Sequence, residues 1–213
     1  MEIYVSGEGS KSFKPDQIVL NINLSKVCKT NAQALLEGEQ IVLNFLNLMQ
    51  NFDFKKENFK TIEYSVRDEV KYENGKSTKI GVRYSRGLRL KFDYDIEKMS
   101  KIMSKSSKLD DAPKIRVDYA LKDEKSAKAE LFKDAYANAK MQADMIADAA
   151  GLKVAKCLKA SFSDDNEGFV TRACFERGMA KTSSYDVEEL IAQTYTPNDI
   201  TVRQNLYCVF VAE

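Results

Sequence analysis

The most regular pattern in the chain is an alternation of apolar and polar residues between Ile62 and Phe92. The apolar residues occupy even positions, at Ile62, Tyr64, Val66, Val70, Tyr72, Ile80, Val82, Tyr84, Leu88, Leu90 and Phe92. The odd positions carry mainly charged side chains, at Arg67, Glu69, Lys71, Lys79, Arg83, Arg89 and Lys91. A period of two is typical of strands with one buried and one solvated face. The pattern therefore predicts two long antiparallel strands joined around residues 73–75.

The apolar residues also predict the register of this hairpin. A two-residue turn would pair Glu73 with Lys76 and would set even residues opposite odd ones, which mixes the two faces. A three-residue loop over 73–75 keeps the apolar residues together and pairs Tyr64 with Tyr84. We therefore expect the three-residue loop, with Gly75 in the left-handed region as part of a bulge. With a two-residue turn, a further bulge beside a glycine of the second strand would also set the apolar residues opposite one another.

The longest helical pattern runs from Ser126 to Leu152. Small and apolar residues recur along it at spacings of three and four, at Phe132, Ala135, Ala139, Ala143, Ile146 and Ala150. Because most of this stripe is alanine, we expect the helix to lie unusually close to the sheet that it covers. Gly151 supplies the left-handed residue that commonly ends a helix. We expect the first two helices to pack beside this one.

Shorter patterns complete the predicted elements. Further strands are expected at 3–12, 18–25, 113–121, 154–162 and 200–212, with helices beginning near Thr30 and Asp95. Strand-helix-strand occurs from Ile18 and again from Ile80, which is the split arrangement of a ferredoxin-like sheet. The long helix and the C-terminal strands are expected to extend that sheet. The predicted fold is α+β, a single domain over 1–213 with a mostly antiparallel sheet and helices on one face.

Two segments depart from these patterns. Gly7 and Gly9 lack the third glycine and the following helix of a phosphate-binding loop, so we interpret them as a bulge or turn in an edge strand. Residues 163–198 form a long, mostly polar stretch with a short helical pattern near its end. A connection of that length in a compact domain is usually functional, an oligomer contact or mobile.

Composition limits the classes of function. The 33 basic and 32 acidic residues give a formal net charge of +1, so charge makes no case for binding nucleic acid or a membrane surface. No window approaches the ~20 apolar residues of a transmembrane segment. The opening MEIYVSGEGS has neither the basic nor the apolar region of a signal peptide. We expect a cytoplasmic protein, or an envelope or periplasmic one if a leader has been removed.

Residues suited to catalysis are sparse. The sequence contains no histidine, which removes Ser-His-Asp and Cys-His catalysis and the commonest transition-metal ligand. The four cysteines show no metal-ligand spacing; they are Cys28, Cys157, Cys174 and Cys208. We predict no catalytic, cofactor-binding or metal-binding residue and no cofactor. A redox-reactive thiol at Cys174 is the speculative exception, since Arg172, Glu176 and Arg177 lie near it. An ordinary free thiol is the favoured interpretation.

Five segments in order carry a family resemblance: VSGEGS, PDQIVLNI, TNAQAL, DAYANAKMQADMIADAAGLKV and PNDITV. Together they extend over nearly the whole chain, and the alanine-rich helix is the most specific of them. On these segments the chain resembles the SIMPL-domain family, which includes bacterial periplasmic immunogenic antigens. The resemblance implies an oligomer-forming domain without an agreed biochemical activity. It also implies links to cell-envelope antigens, stress tolerance and protein interaction.

Two classes of function follow. The favoured class is a non-enzymatic module that forms a homo-oligomer or contacts a protein partner, with a link to stress tolerance. We expect its contacts at strand edges or in residues 163–198, because the first strand is broken by glycines and a sheet edge needs covering. The alternative is a small redox or ligand-binding enzyme that uses Cys174. The cations of the hairpin's odd positions could bind an anion, although a solvated sheet face is the favoured interpretation.

Overall fold

The α+β class is confirmed by a computed structural model that describes residues 1–73, 75–162, 171–172 and 187–213. In chain order its elements are β1 (Glu2–Phe13), β2 (Gln17–Cys28), α1 (Asn31–Gln50), a 3-10 turn (Lys56–Asn58), β3 (Phe59–Glu73), β4 (Lys76–Asp93), α2 (Ile96–Ser107), β5 (Lys114–Ala120), α3 (Glu124–Ala149), β6 (Val154–Phe162), β7 (Thr171–Arg172), α4 (Val187–Thr194) and β8 (Ile200–Ala212). Most of the predicted 163–198 loop lies outside the described residues.

The chain divides into two compact units. The first comprises Met1–Pro15, Ala120–Thr171 and Asn198–Glu213, and the second comprises Asp16–Tyr119 and Arg172–Pro197. The strands form two sheets, ordered β1-β8-β6 and β3-β4-β2-β5-β7, so the expectation of one extended sheet is wrong. The two sheets arise because β1 pairs with the chain's last strand, a long-range contact that local patterns do not show. That residues 1–213 form a single domain stays a prediction.

The first unit is an antiparallel sheet covered by α3. Four alanines of α3 are fully buried against it: Ala135, Ala139, Ala143 and Ala147. The predicted stripe is therefore confirmed at Ala135, Ala139 and Ala143. Ile146 and Ala150 are exposed and Phe132 is half-buried, and the buried positions beside them are occupied by Leu131 and Ala147 instead. The stripe packs on Ile3 of β1 and on Leu206 and Phe210 of β8. This apolar layer between one helix and one sheet is the core of the first unit.

The two glycines of β1 lie directly beneath α3. A Cβ atom on Gly7 would lie 1.9 Å from the carbonyl oxygen of Ala135, and one on Gly9 would lie 2.3 Å from that of Leu131. The pairing of β1 with β8 runs without interruption from Glu2 to Phe13. The interpretation of these glycines as a bulge or turn is therefore wrong. They are glycines because the helix backbone approaches the strand too closely for a side chain.

Two side chains of α3 also bond the backbone of β1, an edge strand of its sheet. The Asn138 Oδ1 atom accepts a hydrogen bond from the Glu8 N–H group at 3.3 Å, and Gln142 Nε2 donates to the Ser6 carbonyl at 3.0 Å. Gln142 Nε2 also donates to Asn138 Oδ1 at 2.9 Å, which holds the two amides together. Backbone groups that an edge strand would leave open are thus occupied within the unit.

The second unit carries α1 and α2 on one face of its sheet. The strand order places β4 between β2 and β3. Thr30 and Asp95 cap the two helices, accepting hydrogen bonds from the N–H groups of Gln33 and Lys98, as predicted. Its largest buried residues include Ile18, Leu20, Ile22, Leu24, Phe45, Met49, Tyr84, Leu90, Met99, Ile102 and Tyr119. α1 and α2 thus cover the sheet of the second unit, whereas α3 covers that of the first.

The β3–β4 hairpin closes with a two-residue connection rather than the three-residue loop. Glu73 pairs with Lys76, so the predicted three-residue loop is wrong, although Gly75 has the predicted positive φ, at 75°. The pairing is interrupted at two places, at Ile80 of β4, next to Gly81, and at Ile62 of β3, opposite Gly87 and Leu88. The first restores the apolar register, because it leaves one residue of β4 unpaired.

In the observed register Tyr64 and Tyr84 are diagonal neighbours on adjacent strands. Val66 is the residue directly opposite Tyr84, and Arg86 is directly opposite Tyr64. The two tyrosines share a face, with ring centroids 5.7 Å apart in an edge-to-face arrangement. The predicted contact therefore exists, but it is made between diagonal neighbours rather than an opposed pair.

Candidate functional site

The outer face of the second sheet, opposite α1 and α2, is polar near its centre. Asn21 and Asn23 of β2 project from this face because they alternate with buried leucine and isoleucine residues. Asn21 pairs in register with Arg89 of β4, and Asn23 pairs with Gly87. The side chain of Asn21 also reaches Asp118 of β5. Three neighbouring strands thus contribute polar groups to one area.

A hydrogen-bonded chain joins two arginines across these strands. Asp118 Oδ2 accepts from Asn21 Nδ2 at 2.6 Å and from Arg116 Nε at 3.1 Å. Asn21 Oδ1 in turn accepts from Arg89 Nε at 3.0 Å. The Asp118 side chain is 1% exposed, and its other oxygen has no hydrogen-bond partner in the described part of the chain. A carboxylate so buried requires a charge-assisted partner, which is Arg116, and Asn21 links the same carboxylate to Arg89.

A cavity of about 320 Å³ lies beside this chain, and we call it the polar cleft. Its lining residues are Asn21, Ile22, Asn23, Ile62, Glu63, Gly87, Arg89, Lys114, Ile115 and Arg116. Gly87 lies between Asn23 and Glu63 in the sheet, and its missing side chain lowers the floor of the cleft. A Cβ atom there would lie 3.0 Å from Glu63 Cβ. Three cations and one acid line the cleft, so its charge favours an anion.

The far end of the β3–β4 hairpin forms a second feature. Four large apolar side chains there are about half exposed or more; this hairpin surface consists of Tyr64, Val70, Tyr72 and Ile80. Ile62 is 48% exposed, but it lines the polar cleft instead. The expected dry face is therefore correct only near Val82 to Leu90, where the apolar residues of β4 are buried. Within the described sheet, β3 is an edge strand. The hairpin surface thus combines exposed apolar area with an open strand edge.

Three of the six cations at odd positions of the hairpin are paired with acids; they are Lys71, Lys79 and Arg83. Arg83 bonds Glu69 through two nitrogens, and this bond lowers the pKa of Glu69 below its usual value. Lys79 forms an ion pair with Asp68 at 2.7 Å. Exposed pairs of this kind contribute little to stability, but they neutralise each other. Of the residues predicted from the odd positions, the structure places Arg89 in the polar cleft.

Two of the described cysteines, Cys28 and Cys208, have thiol pKa values above the usual range. Burial raises the pKa of the Cys208 thiol, with a smaller contribution from Cys157. Burial and the nearby Glu37 carboxylate raise the pKa of Cys28. Since the thiolate is the reactive form, raised values disfavour nucleophilic chemistry at these two positions. Cys174 lies outside the described residues, so its reactivity stays a prediction.

No group of three or more Cys, Asp or Glu side chains is placed to hold a metal ion in the described part of the chain. None of the described helices is both long and apolar enough to cross a membrane.

Asp118 is the site residue that sequence reasoning missed. It lies in the strand segment Arg116-Val117-Asp118-Tyr119, where polar and apolar residues alternate. That alternation predicts a solvated position for the carboxylate, whereas it is almost completely buried. A single strand does not reveal that Asn21 of another strand will bond it. The available signal was the pair of asparagines on β2, which are uncommon in strands and so suggest a polar partner.

Comparison with known proteins identifies a family. A family model described as SIMPL, a protein of unknown function (DUF541), matches residues 3–210. The match includes both units and nearly the whole chain. No curated protein matches the sequence.

Proposed function

The chain belongs to the SIMPL family, whose function is unknown, and from that premise we propose that it is a self-associating interaction module. The proposed contact is the hairpin surface, and its occupant is a second copy of the chain. We extend the proposal to a protein partner and to a role in stress tolerance, for which the family resemblance is the support.

The main observation that supports this proposal is the exposure of the hairpin surface. Tyr72 is 75% exposed and Ile80 is 56% exposed, and both lie near the end of the long ribbon. Isolated exposed apolar residues are ordinary on protein surfaces, but a group on one hairpin with an open strand edge is typical of a contact region. Covering these side chains would stabilise the contact by about 25 cal/mol for each Å² of apolar surface removed from water.

Charge favours a second copy as the occupant. The chain as a whole has a formal net charge of +1, so two copies repel each other little at neutral pH. The hairpin end carries both signs, with Lys71 beside Glu73 and Lys79 beside Asp68. A two-fold axis can set such mixed charges opposite one another at the rim of an apolar contact.

The test is the mass in solution, measured by size-exclusion chromatography with light scattering at about 50 µM. Wild type is expected at a multiple of the monomer mass. Replacing Val70 and Tyr72 with threonine keeps strand propensity but removes apolar area, and should shift the mass toward the monomer. Tyr4→Thr is the matched control, because Tyr4 is 71% exposed on β1. A monomeric wild type, or a loss of mass with Tyr4→Thr alone, would contradict the proposal.

A further inference from the structure

We propose that the polar cleft binds a small, hydrophilic oxyanion, a carboxylate or phosphate group, between Arg89, Lys114 and Arg116. This binding site is distinct from the interaction surface proposed above. The cleft lies on the outer sheet face, and the residues that line it all belong to the second unit.

The charges of the residues that line the cleft favour an anionic ligand. Arg89, Lys114 and Arg116 line the cleft, and Glu63 is the one acid among the lining residues. Asp118 is committed to Arg116 and Asn21, with its bonded oxygen 2.6 Å from Asn21 Nδ2. Because Asp118 offsets the charge of Arg116, the charges left at the cleft are Arg89 and Lys114 against Glu63, a net positive charge that favours an anion.

The two arginines are held ready for bidentate binding. Each uses its Nε atom within the protein, Arg89 to Asn21 and Arg116 to Asp118. Both residues line the cleft, and in the described part of the chain each forms its side-chain hydrogen bond through Nε. A guanidinium group whose Nε is fixed presents its remaining N–H groups in one plane, which matches the oxygens of a carboxylate or phosphate. Fixing the donors beforehand reduces the entropy lost on binding.

The size and lining of the cleft restrict the ligand further. Its volume of about 320 Å³ is near the lower end of ligand sites, so a metabolite-sized molecule fits and a large cofactor does not. Asn21 is already bonded to Asp118 and Arg89, and the amide of Asn23, which donates to Ser85 Oγ at 3.2 Å, adds a polar group to the lining. Ile62 and Ile115 offer a small apolar area at the sides. A short-chain molecule with one or two anionic groups satisfies both kinds of surface.

Two-dimensional NMR of the full chain provides the test, with the side-chain amides of Asn21 and Asn23 as reporters. The probes are succinate and inorganic phosphate, each added up to about 10 mM, with chloride at matched ionic strength to separate site binding from screening. We expect saturable shifts of both reporters with at least one oxyanion. Succinate alone would identify a carboxylate ligand and phosphate alone a phosphorylated one, and both outcomes support the site.

Variants distinguish the site from general surface charge. Arg89→Gln and Lys114→Gln should each weaken binding about tenfold, because each removes charge-assisted hydrogen bonds. Arg116 is left unchanged, because its removal would leave buried Asp118 without its cation. Lys91→Gln is the control, since Lys91 is an exposed cation of the same strand outside the cleft. Shifts that fail to saturate with either oxyanion, or equal weakening by Lys91→Gln, would overturn the proposal.

Discussion

Gly7 lies so close to α3 that a Cβ atom on it would be 1.9 Å from the carbonyl oxygen of Ala135. The same atom would be 2.5 Å from the backbone nitrogen of Ala139. Both neighbours are helix backbone, which cannot rotate away as a long side chain can. The glycine of the strand and the alanines of the helix therefore form one contact, in which each small residue requires the other.

Gly7→Ala is expected to destabilise the chain by about 2–3 kcal/mol, at the upper end of overpacking costs, because backbone must move to admit the methyl group. Ser6→Ala is the control at the neighbouring exposed position, where the change should stay within about 0.5 kcal/mol. Urea unfolding measures both free energies. A Gly7→Ala protein as stable as the Ser6→Ala protein would show that α3 does not approach β1 this closely.

Ala139→Leu tests the helix side of the same contact. Ala139 is fully buried, and the larger side chain should cost about 1–3 kcal/mol in the free energy of unfolding. Lys140 is the next residue along and is exposed, where its ammonium group pairs with Asp144 at 2.9 Å. Lys140→Leu should therefore cost less than about 0.5 kcal/mol. Equal shifts in melting temperature for the two substitutions would be incompatible with the buried stripe.

Gly75→Ala tests the backbone conformation of the hairpin turn, because the added methyl group meets no neighbouring atom. Gly75 has φ of 75°, and no atom lies within 4 Å of the position that a Cβ atom would occupy. The expected loss is therefore about 1 kcal/mol, the cost of a side chain in the left-handed region without any clash. Lys76→Ala, at the next and exposed position, should change stability by less than half as much. Thermal unfolding of the two variants distinguishes these outcomes, and an unchanged Gly75→Ala protein would argue against the turn.

The buried Tyr84 predicts a fall in stability at high pH. Burial raises the pKa of Tyr84 to about 12, above the value of about 10 for an exposed tyrosine. Because the folded-state pKa is the higher one, its contribution is complete below pH 10 and is lost as the pH rises towards 12. Tyr84→Phe should therefore show a smaller decrease in the free energy of unfolding between pH 10 and 12. An identical slope in both proteins would mean that Tyr84 ionises without penalty.

Local patterns predicted those parts of the structure that local contacts determine. The alanine spacing placed Ala139 and Ala143 in the core, and the capping residues Thr30 and Asp95 begin their helices where expected. The alternation on β3 and β4 gave the correct strands and brought Tyr64 onto the face of Tyr84. In each case the deciding period or cap lies within a few residues.

The failures concern contacts between distant residues. The pairing of β1 with β8 joins the two ends of the chain, so nothing within either strand predicts a separate sheet. The role of Gly7 depends on α3, which lies more than a hundred residues away in sequence. The polar cleft was missed for the same reason, because Asp118 of β5 is hydrogen-bonded to Asn21 of the neighbouring strand β2, nearly a hundred residues earlier in the chain. The hairpin turn was wrong because a bulge at Ile80, beside Gly81, offsets the short connection.

Self-association through the hairpin surface is tested most directly by hydrogen exchange measured at several protein concentrations. If a second copy covers the hairpin surface, amides of the 62–73 segment of β3 should exchange more slowly as the protein concentration rises. The buried α3 amides near Ala139 provide the internal reference, since their exchange should not depend on concentration. Exchange of 62–73 that is equally fast from the lowest to the highest concentration would contradict the account.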